Sequence, residues 1–328
     1  MQLFCWRSLS VVALAGVLVL AQEHSDHSGP VYPLPEKSGP LRKALLLLRE
    51  SKTDEARKEL EDQRRQRPND PEVLYQIGRS YLIDFYRLQA PDQRRVSLGL
   101  AMEALNAVLK ADPNHIPALR AKAVIHARAE LLYYDPNLSY ELAARVAKIE
   151  PHANAFLLNL SEWMSGEVRF TNESGHRVPH DPLLGLDRSL ELLEQVVDNA
   201  IPYSNEETAA LFLMGNTLTR RGNFRDAIRY YEQELKRNVT LDQRMATLRE
   251  MGAAYYRLGD YTEAARKFYE ATQWRKNSVD LYLFTLALGQ VEGRPPMPES
   301  TVFPLETFPV DAANAPLLGF EDIAAVAE

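Results

Sequence analysis

The residues whose types could do chemistry are histidines in two clusters. His24 and His27 flank Asp26, and His176 and His180 lie in "GEVRFTNESGHRVPHDPLLG" beside Glu173 and Asp181. Imidazoles next to carboxylates are the donor set of a metal centre. The first cluster stands in "QEHSDHSGPVYPLPEKSGP", a Pro-, Gly- and Ser-rich stretch that fixes no third ligand. The second lacks the HExxH spacing, and Pro179 and Pro182 prevent one regular helix from carrying both rings. No GxSxG, GxxxxGK[ST] or GxGxxG motif occurs, and the sole thiol, Cys5, lies near the start of an apolar N-terminal stretch. The expectation is a chain with no catalytic residues, no metal and no cofactor. A hydrolytic centre in the 166–182 loop is the one enzymatic alternative.

The elements that would have to position any site are helices in a repeat. Leu211, Met214-Gly215, Leu218, Ala227 and Tyr231 return as Leu248, Met251-Gly252, Tyr255, Ala264 and Phe268, each 37 positions on. Within each set the apolar residues fall at helical spacing, interrupted by Gly222-Asn223 and Gly259-Asp260. That pattern is helix, turn, helix. Gly215 and Ala227, and likewise Gly252 and Ala264, are expected to meet at the helix crossing, small against small. One hairpin cannot bury its apolar faces alone, so such units stack.

"LFLMGNTLTRRGNFRDAIRYYEQEL" and "LREMGAAYYRLGDYTEAARKFYEA" resemble the tetratricopeptide repeat, whose unit runs W-x2-L-G-x2-Y, then Ala, an aromatic, Ala and Pro. "TDEARKELEDQRRQRPNDP", "LYQIGRSY" and "AMEALNAVLKADPNH" keep the register if about eleven extra residues sit near 87–95. Two degenerate units follow, the second pairing "AFLLNLSEWM" with "GLDRSLELLEQVVDNAIP" across an insertion at 166–182. The resemblance implies an all-α, right-handed solenoid of about six hairpins over residues 40–291, with residues 279–291 as a capping helix.

The ends read differently. Arg7, the apolar run Leu9 to Leu20 and a polar segment after Ala21 form a secretory signal over residues 1–21; the run is short of the roughly 20 residues that span a bilayer. The expectation is an exported protein, periplasmic or secreted, with a flexible leader at 22–39 and no stable membrane insertion once the signal is removed. A Pro-rich extended tail follows at 292–328, and its "GFEDIAAVAE" resembles the opening of the ASPIC/UnbV, FG-GAP-like region found after such repeats in some exported proteins. With 45 Asp and Glu against 38 Lys and Arg, the net charge is −7, which argues against a nucleic-acid partner.

In the family the first helix of each unit lines a concave surface that holds protein ligands. Carried over by register, the resemblance implies ligand positions at Phe212, Asn216 and Arg220, then Arg249, Tyr256 and Arg257, with Tyr75, Arg79, Arg120 and Arg128 upstream. Guanidinium forks suit carboxylates, so the implied partner is a protein or peptide that is acidic or has a free C-terminal carboxylate. The function implied is a noncatalytic interaction scaffold or adaptor; the alternative is the partner-presenting accessory region of an exported enzyme or assembly system.

Overall fold

The computed structural model describes residues 39–128, 131–165, 182–274 and 278–292. The expected signal, leader, 166–182 insertion and tail lie outside the described residues apart from a few end positions. All regular elements among the described residues are helices. They fall into two compact units, divided between Gln195 and Val196.

The first unit holds α1 (Arg42–Arg49), α2 (Thr53–Gln66), α3 (Pro71–Arg87), α4 (Pro91–Ala111), α5 (Ile116–Ala127), α6 (Pro136–Ile149), α7 (Asn154–Met164) and most of α8 (Pro182–Asn199). Their starts are written locally. Asp70 and Asp135 accept hydrogen bonds from the first-turn amides of α3 and α6, and each precedes a proline, which loses no helical hydrogen bond at that position. Helices α1 and α2, α3 and α4, and α5 and α6 then pack as consecutive hairpins. At the α3–α4 crossing Gly78 faces Ala101 and Ala104, where an added Cβ would sit 3.2 Å from the Ala104 methyl. The extra residues near 87–95 do not form a separate insert. They lengthen the helices to 17 and 21 residues, leaving only Leu88 to Ala90 as the turn.

Polar side chains join the less regular hairpins. Ser139 on α6 donates to the Ala123 carbonyl at 2.7 Å, and Ser189 on α8 donates to that of Ser161 on α7 at 2.9 Å. Gly185 lets α8 approach the C-terminal end of α7, since a Cβ there would meet the Met164 carbonyl oxygen at 2.6 Å.

The second unit contains the end of α8, then α9 (Asn205–Arg221), α10 (Phe224–Leu235), α11 (Leu241–Leu258), α12 (Tyr261–Trp274) and α13 (Ser278–Val291). Ser204 caps α9, a Thr240–Gln243 capping box opens α11, and Gly222 and Gly259 close the same two helices at φ of 90° and 80°. The crossing differs from the expected small-on-small contact. Gly215 and Gly252 lie under the rings of Tyr231 and Phe268, while Ala227 and Ala264 are buried beside them. A ring over a glycine fills the crossing with more apolar area than two methyls would, and each fully buried ring contributes roughly 1.5–3 kcal/mol. Helix α13 covers the last hairpin, setting Leu283, Phe284, Ala287 and Leu288 against Ala264, Ala265 and Phe268. Among the described residues the fold is thus all-α, with six helix hairpins in chain order and a capping helix.

Candidate peptide-binding surface

In the second unit the implied ligand positions lie on α9 and α11, the first helices of their hairpins, and they divide by burial. Arg220 and Arg257 are exposed, and Asn216 and Tyr256 are half-buried. Asn216 Oδ1 accepts a 2.7 Å hydrogen bond from the Tyr231 hydroxyl, so the ring that covers Gly215 also orients this amide. Tyr256 meets Tyr261 edge-on, with ring centroids 5.0 Å apart. Beside Arg220 stands Glu250, whose carboxyl is held above its ordinary range by burial against the opposing pull of Arg249 and Arg220.

Phe212 and Arg249 were expected on the ligand-facing surface, and the structure buries both. Consecutive residues Glu207 to Gly215 are all buried, with α9 packed by α10 and also by α11, so the positions leading up to the crossing glycine are covered. Arg249 forms a two-pronged ion pair with Asp280 of α13, one prong from Nη2 at 2.9 Å and the other from Nε. Its fork holds the capping helix and is not turned toward a ligand.

The first unit shows the same division. Tyr75, also expected at the surface, is a core residue in the cluster with Leu105 and Leu131, its ring tilted against His115 at 5.1 Å. Val73 to Gly78 are buried without interruption, because α3 is packed by both α2 and α4. Arg79 is half-buried and donates to Gln76 Oε1 at 3.3 Å. Arg120 is ion-paired with Glu150 and lies 5.2 Å from the Phe156 ring centre. Arg128 donates to the Tyr86 hydroxyl at 3.2 Å and lies over that ring at 5.7 Å. Sequence reasoning missed the partners Asp280, Glu150 and Tyr86. Their pairing distances of 30 to 42 residues leave no local signal, although Asp280 can be read as an acidic first-turn residue of a predicted helix.

Residues 212–278 match the tetratricopeptide repeat family. The sequence matches no curated protein. Among solved structures, a tetratricopeptide repeat protein from Parabacteroides merdae ATCC 43184 aligns over 77% of this chain and 85% of its own, at 11% identity and a TM-score of 0.45. A structure of Naa15/Naa10 bound to HypK-THB aligns over 86% of this chain and 36% of that one, at 16% identity and a TM-score of 0.49. Yeast Tom70 aligns over 86% and 70%, at 13% identity and a TM-score of 0.30. The family match covers residues 212–278, and the other hairpins among the described residues have the same helix-turn-helix form.

Proposed function

We propose that this chain is a noncatalytic interaction scaffold that holds a protein or peptide on the first helices of its C-terminal repeats. The observation that carries the reading is the contrast on α9 and α11. Their packing residues are buried under neighbouring helices, whereas Asn216, Arg220, Tyr256 and Arg257 stay at least partly accessible, Arg220 and Arg257 at equivalent positions of successive repeats. Stacked first helices bring such equivalent positions near one another, giving a polar, arginine-bearing surface beside an aromatic ring. That chemistry suits an acidic segment or a free C-terminal carboxylate. We further propose that the chain works outside the cytoplasm once residues 1–21 are removed, a reading supported by the short apolar run before Gln22.

The test begins with a pull-down from the secreted or periplasmic fraction. Replacing Arg220 and Arg257 together by alanine is then expected to weaken binding of the recovered partner at least roughly tenfold, since each charge-assisted contact contributes about 1.5–3 kcal/mol. Both side chains are exposed, so the thermal melt should hold. Full affinity in the double variant refutes the surface. Intact mass of protein from its native host tests the export step; retention of Met1 to Ala21 refutes it.

A further inference from the structure

We propose that the outer face of α13 is a docking site for a segment of this same chain, Val302 to Phe308, which returns along the helix in an extended conformation. The segment lies outside the described residues; the face it covers is among them.

Helix α13 stands last in the stack, where the outer side of a cap is ordinarily polar because no further repeat covers it. This cap carries a single charged residue, Asp280, and that carboxylate is buried in the pair with Arg249. From Leu281 to Val291 no Asp, Glu, Lys or Arg occurs. The pairs Leu283-Phe284 and Ala287-Leu288 pack on the last hairpin. By helical spacing Tyr282, Thr285, Leu286 and Gly289 fall on the opposite side. Thr285 is exposed there, and Leu286 and Gly289 are half-buried. A helix with apolar residues on every side is one that is covered on every side.

A second copy of the chain is a poor cover. Fourteen residues make a helix about 21 Å long and about 10 Å wide, so the face offers roughly 200 Å² to a partner, against the roughly 1,000 Å² in total that a specific interface needs. The chain's own continuation suits the face better. Residues 292 to 301 reach up to about 33 Å when extended, enough to turn back over the length of α13. Pro295, Pro296, Pro298, Pro304 and Pro309 favour the polyproline conformation, which has three residues per turn. On that period Val302, Leu305 and Phe308 form one apolar row, and Glu306 falls off it. At about 3.1 Å per residue the row is about 19 Å long, close to the length of the helix. Its prolines restrict the segment before it docks, which lowers the entropy lost on docking. Tethering holds the segment at a millimolar effective concentration, so a face too small for a free partner can still be occupied.

The experiment uses the full-length, 15N-labelled chain with Cys5→Ser and a nitroxide spin label at Thr285→Cys, an exposed position beside Leu286. The amide signals between Val302 and Phe308 are expected to lose most of their intensity, relative to the same sample after the label is reduced. Val302→Asp together with Phe308→Asp should restore that intensity; both positions lie outside the helices of the stack, so the variant keeps its fold. Spin-labelled chain at natural isotope abundance, mixed with 15N-labelled chain that carries no spin label, should leave the signals sharp. No loss of intensity, a loss that persists in the double Asp variant, or broadening in the mixed sample overturns the proposal, and the last outcome would make a second copy the occupant. Each outcome leaves the first-helix surface of α9 and α11 to stand or fall by its own test.

Discussion

A methyl group added at Gly252 would lie 2.6 Å from the Phe268 ring, and Phe268 is itself only 1% exposed, so the ring has nowhere to retreat. Gly252→Leu is accordingly expected to cost roughly 1–3 kcal/mol or more by overpacking. Gly259→Ala meets open space but must hold a left-handed backbone, at about 1–2 kcal/mol. Urea melts of the two variants check the ranking, and a Gly252→Leu melt that overlays the parent would refute the crossing described here. Glu234 gives a pH-dependent counterpart. It is 1% exposed on α10, Oε2 lacks a partner, and burial lifts its carboxyl from an ordinary 4.5 to about 7. A raised folded-state value means that stability is full below pH 4.5 and declines as pH rises through about 7, by up to roughly 3 kcal/mol. Glu234→Gln should flatten that decline; melts at pH 5 and pH 8 that differ as much in the variant as in the parent would contradict it.

At the scale of elements, α13 is held by apolar packing and by the Arg249–Asp280 pair, whose side chains are 8% and 0% exposed. Asp280→Asn leaves a buried guanidinium without its counter-charge and is expected to cost roughly 3–5 kcal/mol. Replacing both partners with apolar residues, Arg249→Met with Asp280→Leu, should recover most of the loss. Chemical denaturation of the single and double variants measures this; a double variant no better than Asp280→Asn would show that the pair is not the cause. The helices themselves were legible in sequence, because Gly222, Gly259, Asp70 and Asp135 punctuate them locally and the repeat fixes their order. What escaped was the fate of the flanking positions. Tyr75, Phe212 and Arg249 stand at ligand positions by register, yet whether such a residue meets solvent depends on which helix comes to lie over it. Contacts with other helices decide that, as Asp280, 31 residues on, does for Arg249 and Tyr231, 19 residues on, does for Phe212.

For the molecule as a whole, the two units should respond to pH in opposite senses. In the first, burial pushes the His126 imidazole below its ordinary 6.5, and its Nε2 has no partner. A lowered folded-state value means that stability is present above pH 6.5 and is lost as pH falls toward that value, because the unfolded chain takes up the proton first. On acidification from neutrality toward pH 5, amide-exchange protection factors should therefore fall in the described residues of the first unit and rise in those of the second, where Glu234 lies. Movement in the same direction in both units would contradict this. The order of contacts has a kinetic consequence as well. Within each unit helices pack chiefly on those adjacent in the chain, so few contacts require distant segments to meet before any stabilisation is gained. A chain built this way has no single obligatory nucleus. Folding can begin at whichever hairpin forms first and spread to its neighbours, and the sturdy glycine-and-ring hairpins α9–α10 and α11–α12 are where it should most often start.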